Sequence, residues 1–132
     1  ISQLRLAYTN PTPRTIAWRN AASAVPLVDQ IQVHGLMGPD TISVTLSATS
    51  VSQLATTKTW VTVLEGGPGN DIIKGTDGRD RINGSSGSDV IYGFGGDDRL
   101  WGDVGNGNAL TDTDRIFGGS GNDDLLGGVG AN

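Results

Sequence analysis

The stretch Gly66-Gly67-Pro68-Gly69-Asn70-Asp71-Ile72-Ile73-Lys74 is followed directly by Gly75-Thr76-Asp77-Gly78-Arg79-Asp80-Arg81-Ile82-Asn83, which repeats the same pattern nine residues later. Further units begin at Gly84, Gly93, Gly102 and Gly118, and a seventh begins at Gly127. The fifth unit alone is interrupted, by an insertion of residues 107–113. A unit this short cannot bury an apolar face by itself, so the repeat predicts a solenoid of stacked units.

Four positions of the unit are fixed. The first and fourth are glycine, as expected for turns that need a positive φ or a close backbone approach. In the first six units the sixth is aspartate and the eighth is Ile or Leu. With two units in each coil, the eighth residues are predicted to point inward from three-residue strands and form a thin aliphatic core, while the seventh and ninth face outward. The inward residues are Ile73, Ile82, Ile91, Leu100, Ile116 and Leu125.

The aspartates at the sixth position should form two columns, because alternate units share one edge of the coil. One edge is predicted to carry Asp71, Asp89 and Asp114, and the other Asp80, Asp98 and Asp123. Neighbours within a column should lie about 4.8 Å apart, which is the spacing of strands in a sheet. Carboxylates at that distance repel unless a cation lies between them. A flexible set of carboxylate and carbonyl oxygens suits Ca²⁺ better than Mg²⁺.

The units match the pattern GGxGxDxUx, and residues 66–130 therefore resemble the RTX, or haemolysin-type, calcium-binding family. The resemblance implies a right-handed parallel β-roll in which each Ca²⁺ lies between turn n and turn n+2. In that family the ligands from turn n are its Asp and the carbonyls of positions two and four. Turn n+2 contributes its own Asp and the carbonyls of positions one and three. On the order of three to five Ca²⁺ ions are implied for this chain.

Carried onto this sequence, the resemblance implies four sites. The first consists of Gly67, Gly69 and Asp71 with Gly84, Ser86 and Asp89. The second consists of Thr76, Gly78 and Asp80 with Gly93, Gly95 and Asp98. The third consists of Phe94, Gly96 and Asp98 with Gly118, Ser120 and Asp123. The fourth consists of Ser85, Gly87 and Asp89 with Gly102, Val104 and Asp114, and the insertion either leaves Asp114 in place or lets Asp112 substitute for it.

Several turns lack glycine at the second position, where the residues are Thr76, Ser85, Phe94 and Asp103. These departures should weaken the turn without abolishing it, because the ligand there is a backbone carbonyl. Aspartates away from the sixth position are expected to be solvated rather than to bind metal. They are Asp77, Asp97, Asp103 and Asp124.

Residues 1–65 differ in composition from residues 66–132, since Gly35 and Gly38 are the only glycines before Gly66. Alternating β-branched runs predict strands at residues 4–8, 30–33, 41–46 and 60–64. The chain should therefore be all-β, a parallel β-roll solenoid with an irregular β N-terminal extension or cap. Residues 35–43 keep both glycines, the Asp and the Ile of the repeat. We expect a solenoid turn there, and whether it also binds metal stays open.

Composition argues against several other functions. A net charge of −5 does not suit a protein that follows nucleic-acid phosphates. Cysteine is absent, which excludes thiolate metal sites and thiol nucleophiles, and no apolar run approaches the roughly 18 residues of a membrane span. His34 is the only histidine and lies in no zinc or triad signature, so we interpret it as a strand residue with an ordinary partner.

These observations favour a calcium-binding structural module, not an enzyme, of an exported protein that is secreted or held at the cell surface. The first residue is not Met and the last lies inside a repeat, so we expect a piece of a longer parent protein whose other parts contact it. Self-association through the open C-terminal coil is a further expectation. Two alternatives are an adhesive or surface-layer module and the accessory tail of a secreted enzyme whose catalytic domain is absent here. Without calcium, a disordered acidic segment is expected.

Overall fold

The computed structural model of the chain describes residues 3–7, 14–19, 30–46, 60–103 and 111–132, with side chains described from residue 31 onward. Regular structure within these ranges is entirely β, and no described helix is long or apolar enough to cross a membrane. The strands are β1 (Gln3–Ala7), β2 (Arg14–Arg19), β3 (Gln30–His34), β4 (Asp40–Thr45), β5 (Thr62–Pro68), β6 (Ile72–Lys74), β7 (Asp80–Ser86), β8 (Val90–Gly95), β9 (Arg99–Trp101), β10 (Arg115–Ser120) and β11 (Asp124–Leu126).

Successive strands alternate between two parallel sheets. The odd-numbered strands form one sheet in the order β1-β3-β5-β7-β9-β11, and the even-numbered strands form the other in the order β10-β8-β6-β4-β2. Each coil therefore contains two strands and two turns, which is the architecture of a parallel β-roll. Equivalent positions of regular coils are 18 residues apart, as the hydrogen bond between Asp71 and Asp89 shows. The prediction that two units make one coil is confirmed.

The core is a single layer of aliphatic side chains between the two sheets. The strand register stacks Leu64 on Ile82 and Ile82 on Leu100 in one sheet, and Ile73 on Ile91 in the other. The core cluster consists of Ile31, Val33, Ile42, Val44, Leu64, Ile73, Ile82, Ile91 and Leu100. Ile116 lies on β10, the terminal strand of its sheet, and is only partly buried against the core.

Leu125 departs from the predicted core. Its side chain is 47 % exposed, although it occupies the eighth position of its unit. The strand that carries it, β11, is the last of its sheet and pairs only with β9 among the described strands. An inward-facing residue is buried only when coils cover it on both sides, and the prediction that Leu125 is buried was wrong for that reason.

The N-terminal strands belong to the same two sheets as the repeats. The four strands predicted before the repeats are confirmed as β1, β3, β4 and β5, with bounds shifted by a few residues; Tyr8, the last residue of the first run, lies outside the described residues. The prediction missed β2, which pairs in parallel with β4. Strand β5 crosses the change in composition at Glu65 and Gly66, so the sheets are continuous there. The division into segments 1–65 and 66–132 remains a proposal.

The outer faces of the sheets carry aromatic and basic side chains in register. Tyr92 stacks on Phe117, with ring centroids 5.0 Å apart, and lies 6.0 Å from Phe94. On the other sheet, Trp101 is covered by the guanidinium groups of Arg81 and Arg99. The predicted outward pairs, Tyr92 with Phe117 and Trp101 with Leu126, are confirmed by the strand register.

His34 lies on β3 beside Glu65 of β5. The His34 Nδ1 and Glu65 Oε2 atoms are 2.6 Å apart, and both side chains are partly exposed. A partnered strand histidine was predicted, and the structure confirms it.

Candidate metal centre

The aspartates at the sixth position are linked from coil to coil along each edge of the roll. The backbone amide of Asp71 donates to Asp89 Oδ1 over 2.8 Å, and that of Asp89 donates to Asp114 Oδ1 over 2.9 Å. On the opposite edge, the amide of Asp80 donates to Asp98 Oδ1 over 2.8 Å and that of Asp98 to Asp123 Oδ1 over 3.0 Å. The two predicted columns are therefore present.

Each column continues beyond the predicted aspartates. The first column consists of Asp40, Asp71, Asp89, Asp114 and Asn132, because the Asp40 amide donates to Asp71 Oδ1 over 2.7 Å and the Asp114 amide to Asn132 Oδ1 over 2.8 Å. The second column consists of Thr62, Asp80, Asp98 and Asp123, because the Thr62 hydroxyl donates to Asp80 Oδ1 over 2.7 Å.

Four of the column carboxylates are buried with one oxygen satisfied and the other without a hydrogen bond, and they belong to Asp71, Asp89, Asp98 and Asp114. Asp71, Asp89 and Asp98 are each at most 2 % exposed. Their Oδ1 atoms accept the amide hydrogen bonds described above, whereas their Oδ2 atoms have no hydrogen-bond partner, and the same holds for Asp114. A buried oxygen without a partner is costly, and in native structures it often marks a missing ion or water.

The unsatisfied oxygens point into cradles above the glycines at the first position. A Cβ added at Gly84 would collide with Asp89 Oδ2 and would lie 2.7 Å from the carbonyl oxygen of Gly102 in the next coil. The equivalent Cβ at Gly66 would collide with Asp71 Oδ2 and lie 2.7 Å from the Gly84 carbonyl oxygen. Glycine at the first position therefore leaves room where a carboxylate oxygen and a carbonyl oxygen of two successive coils converge.

Carbonyls of the second and fourth positions also face the next coil. A Cβ on Gly87 would collide with the Gly69 carbonyl oxygen, and one on Gly119 with the Phe94 carbonyl oxygen. Gly87 and Gly119 have φ values of 124° and 103°, in the left-handed region that glycine adopts readily. The backbone of each turn thus brings further oxygen atoms to the edge where the column of aspartates lies.

Burial shifts the titration of these carboxyl groups. It raises the pKa of Asp80 and Asp89 to about 7, raises that of Asp71 and Asp98 to about 6, and also raises the pKa of Asp114. The hydrogen bonds that these side chains accept oppose the shift, while neighbouring carboxylates in the column increase it. A cation beside the carboxylates would favour their ionised form and lower the same pKa values.

The donor set fits a hard cation. The described residues contain no group of three or more His, Cys, Asp or Glu side chains that could hold a metal, so backbone oxygens would have to complete any site. Two carboxylates together with several carbonyls form the all-oxygen, flexible environment that Ca²⁺ prefers. Softer metals that need nitrogen or sulfur ligands do not fit these residues.

A family model named RTX calcium-binding nonapeptide repeat (4 copies) matches this chain. The matches cover residues 63–89, 74–109 and 108–132. These matches together span residues 63–132, which is more than half of the chain. The chain belongs to the RTX calcium-binding repeat family. No curated protein and no solved structure matches it.

RTX repeats bind Ca²⁺, form structural modules that are not catalytic, and are typical of exported proteins. The parallel β-roll and the edge columns of this chain agree with membership of the family. Residues carried over from the RTX pattern lie in described turns, except Val104, which falls outside the described residues together with residues 105–110.

Two RTX turns accept a residue other than glycine at the second position in a left-handed conformation. Ser85 and Phe94 have φ values of 83° and 77°. These values carry a cost for residues with a Cβ, but the turn keeps its shape. The prediction that such departures would not abolish the turn is confirmed for Ser85 and Phe94.

The turn at residues 75–80 is built differently. Neither Thr76 nor Gly78 has a positive φ. The Thr76 amide donates to Asp80 Oδ2 over 2.5 Å, and the Thr76 hydroxyl lies 3.1 Å from both Asp80 oxygens. With the Thr62 hydroxyl on Oδ1, the Asp80 carboxylate is satisfied by the protein alone. A β-branched residue is strongly disfavoured in the left-handed region, which explains why this turn departs from the others.

The insertion leaves Asp114 in the column. Arg115 pairs with Val90 in the strand register, and the Asp114 carboxylate accepts the Asp89 amide. Asp112 lies nearby, where its Oδ2 accepts the Gly87 amide over 3.2 Å, and it does not replace Asp114. Of the two arrangements that the sequence left open, the structure shows the one in which Asp114 keeps the sixth position.

Sequence reasoning missed three residues at the columns. Asn132 is the sixth residue of the unit that begins at Gly127, so the repeat itself could have identified it. Thr62 has no repeat signature, and only the strand register places it above Asp80. Asp103 was predicted to be solvated, and this was wrong: it is 7 % exposed, has an unpartnered Oδ2, and its amide lies against the Gly127 carbonyl of the next coil. Asp77, Asp97 and Asp124 are exposed, as predicted.

Proposed function

We propose that this chain is a structural module of an exported protein, secreted or at the cell surface, whose coils fold as Ca²⁺ binds between stacked turns. The observation that supports the proposal is the presence of buried carboxylates in both columns, where Asp71, Asp89 and Asp98 each keep one unpartnered oxygen. Like charges in a dry environment oppose folding unless a cation compensates them. The aliphatic core is one layer thick, so binding energy supplied by the metal would decide whether the coils form.

The ions would be held by two turns at a time. In the first column, the proposed ligand sets join Asp71 to Asp89 and Asp89 to Asp114, and in the second column they join Asp98 to Asp123. The carbonyls of these turns, at the positions carried over from the RTX pattern, would complete the coordination. The set that joins Asp80 to Asp98 should bind most weakly, because Thr76 and Thr62 already occupy the Asp80 carboxylate. Bound Ca²⁺ would neutralise the columns and fix each turn to the turn two units later.

A Ca²⁺ titration of the whole chain tests the proposal. Circular dichroism should show little β structure in EGTA and a cooperative gain of β structure as Ca²⁺ rises, with dissociation constants on the order of 10⁻⁴ to 10⁻³ M, as in other extracellular modules. Isothermal titration calorimetry should count at least the three strong sites. Mg²⁺ at equal concentration should not substitute, because it requires a tighter octahedral shell. A β spectrum that is unchanged by EGTA, with no heat of Ca²⁺ binding, would refute the proposal.

Variants of the aspartates in the second column test how many ions each aspartate binds, through the Ca²⁺ midpoint of folding. Asp98 would serve two ions, whereas Asp123 would serve one at the end of the column. Asp98→Asn should therefore raise the Ca²⁺ midpoint of folding several-fold more than Asp123→Asn does. Asp97→Asn is the matched control, since Asp97 neighbours Asp98 but its side chain is exposed. If Asp98→Asn behaves like Asp97→Asn, the assignment of ligands in this column is wrong.

An adhesive module is the second candidate, and the exposed aromatic surface favours it. Phe94 and Phe117 are 46 % and 50 % exposed beside Tyr92 on the outer face of one sheet. Apolar surface of this kind, rimmed by Lys74, is typical of a contact with another molecule. Replacing Phe117 by Ser should leave the Ca²⁺ midpoint unchanged and abolish binding to cells or polysaccharide if adhesion is the function. Equal binding by the Phe117→Ser variant would exclude this face.

A further inference from the structure

The turn at residues 35–40 lies upstream of residues 63–132, where the family match is found, yet it has the backbone of an RTX turn. Leu36 and Gly38 have φ values of 77° and 97°, close to the 83° and 124° of Ser85 and Gly87 at the same positions of a matched unit. Within the match, Thr76 and Gly78 lack this conformation. Left-handed residues at the second and fourth positions therefore occur outside the residues that the family model matches, and they are absent from one of the matched turns.

This upstream turn stacks in register on the first matched turn. The amides of Gly35 and Gly38 donate to the carbonyl oxygens of Glu65 and Pro68, each over 2.8 Å. A Cβ on Gly67 would collide with the Leu36 carbonyl oxygen, and one on Gly69 with the Gly38 carbonyl oxygen. The carbonyls of Leu36 and Gly38 thus face the next coil, as those of Gly69 and Phe94 do further along the roll.

A cradle of oxygens lies between the two turns. A Cβ added at Gly35 would collide with the Gly66 carbonyl oxygen and would lie 2.7 Å from Asp40 Oδ2. Asp40 is 2 % exposed and Asp71, from the next coil, is 1 % exposed. Asp71 Oδ1 accepts the Asp40 amide, which holds the second carboxylate at this edge. The other oxygen of Asp71, Oδ2, lies in the next cradle, at Gly66.

A buried carboxylate can also be held by side-chain hydroxyls, as Asp80 is by Thr62 and Thr76. In the upstream turn, Leu36 stands at the position of Thr76 and its side chain has no hydroxyl. Asp40 Oδ2 and the Gly66 carbonyl oxygen converge at Gly35. Asp71 Oδ2 and the Gly84 carbonyl oxygen converge at Gly66 in the same way. We therefore propose a Ca²⁺ site between the turns at residues 35–40 and 66–71. Its ligands are the carboxylates of Asp40 and Asp71 and the carbonyls of Leu36, Gly38, Gly66 and Pro68.

The proposed site extends the first column by one ion into the segment that the repeat pattern does not cover. It rests on the proposed function, because it assumes that the matched turns also bind Ca²⁺. If the site exists, strands β3 and β4 belong to the part of the chain that Ca²⁺ orders. The N-terminal segment would then contribute a Ca²⁺-binding turn to the module.

Calcium stoichiometry tests the site. Wild-type chain, Asp40→Asn, Asp77→Asn and Asp89→Asn are titrated with Ca²⁺ by calorimetry, and circular dichroism at saturating Ca²⁺ checks the fold. Asp40→Asn should bind one ion fewer than wild type, whereas Asp77→Asn, a change at an exposed aspartate, should bind the wild-type number. Asp89→Asn reports on the matched turns. If Asp40→Asn keeps the wild-type number while Asp89→Asn loses ions, the upstream site is wrong and the proposed function stands. If wild type itself binds no Ca²⁺, the proposed function fails.

A second variant is informative even if Asp40→Asn does not fold. Leu36→Gly replaces a left-handed leucine by the residue that adopts this conformation freely, so the turn is made easier to form. The Ca²⁺ midpoint of the N-terminal coil should fall by roughly two- to fivefold. In an Asp40→Asn background the same change should have no effect on the midpoint. A Leu36→Gly midpoint equal to that of wild type, or an equal shift with and without Asp40, would overturn the proposed site.

Discussion

At the scale of single residues, Asp89 should affect the stability of the roll in opposite directions with and without metal. Burial raises the pKa of Asp89 from its usual value near 3.8 to about 7. The folded chain therefore binds the Asp89 proton more tightly than the unfolded chain does. The stability linked to this proton is fully present below about pH 4 and is lost as the pH rises through about 7. The metal-free roll should consequently be most stable in mild acid, whereas Ca²⁺ binding needs the ionised carboxylate and should weaken there.

The Asp89→Asn variant should separate these two effects. In EGTA at pH 8 we expect it to retain more β structure than wild type, because the neutral amide removes the cost of a buried charge. Its amide group could donate to the Gly102 carbonyl oxygen, which lies over the same cradle as Asp89 Oδ2. In Ca²⁺ it should be less stable than wild type. Circular dichroism at pH 5 and pH 8, with EGTA and with Ca²⁺, measures both signs, and Asp77→Asn serves as the exposed control. Equal β content of Asp89→Asn and wild type in EGTA at pH 8 would contradict the argument.

Residues at the columns were predictable where the repeat is regular. The positions of Asp71, Asp89 and Asp98 follow from the nine-residue period, because a strict period fixes both the edge and the neighbour of each aspartate. The period gave no basis for Thr62, which is aligned with Asp80 by strand pairing alone. It also could not show that Asp103 is covered by the next coil, since burial at the second position depends on residues 127–128, which lie two units later.

At the scale of the turn, one side chain decides between two ways of satisfying an aspartate. The turns with a left-handed Ser85 or Phe94 leave Oδ2 of Asp89 and of Asp98 without a hydrogen-bond partner. The turn with Thr76 is not left-handed and satisfies Asp80 with its amide and hydroxyl. Under the proposed function the first type needs a cation at the free oxygen, whereas the Asp80 carboxylate of the second type already has hydrogen-bond partners on both oxygens. A sequence pattern that scores only glycine and aspartate treats both turns as alike.

Thr76→Gly should convert the second type of turn into the first. The Asp80 carboxylate would lose the Thr76 hydroxyl, so we expect less β structure in EGTA. Glycine would allow the left-handed conformation, so the Ca²⁺ affinity of the set that joins Asp80 to Asp98 should rise. Calorimetry and circular dichroism on the variant measure both changes. The control is Thr111→Gly, the same substitution at an exposed turn residue away from the columns. A Thr76→Gly chain with unchanged metal-free stability and unchanged Ca²⁺ affinity would show that the threonine has no such role.

Strands were predictable to a different degree in the two halves. Short alternating runs identified β1, β3, β4 and β5. One face of β3, β4 and β5 is buried, which is the physical reason for the alternation there. Their place in the solenoid was not predictable, because the step from Asp40 to Asp71 is 31 residues whereas the step from Asp71 to Asp89 is 18. Pairing in parallel β-sheets tolerates long connections between coils, and such connections erase the period in the sequence.

At the scale of the whole molecule, the C-terminal end of the roll, formed by β10 and β11, is an open end that no other described strand covers. The last strands of the two sheets, β10 and β11, pair on one side only among the described strands. Leu125 projects from the open end with 47 % of its side chain exposed, and Ile116 is only partly covered. A strand edge beside an uncovered apolar layer is a surface on which another coil can stack. We propose that this end is covered in solution, either by neighbouring parts of a parent protein or by a second copy of the chain.

The isolated chain in Ca²⁺ should therefore self-associate through this end, and two adjacent leucines provide the test. Leu125 and Leu126 are 47 % and 46 % exposed and follow each other in β11, but successive residues of a strand point to opposite faces. Leu125→Gln would place a polar group on the open end of the core. Leu126→Gln makes the same leucine-to-glutamine replacement on the outer face of the sheet. Analytical ultracentrifugation of the Ca²⁺-loaded proteins should show association of wild type and Leu126→Gln, and a monomer for Leu125→Gln. If Leu126→Gln abolishes association and Leu125→Gln preserves it, the contact lies on the outer face. A wild-type chain that stays monomeric at high concentration would exclude stacking of copies at the open end.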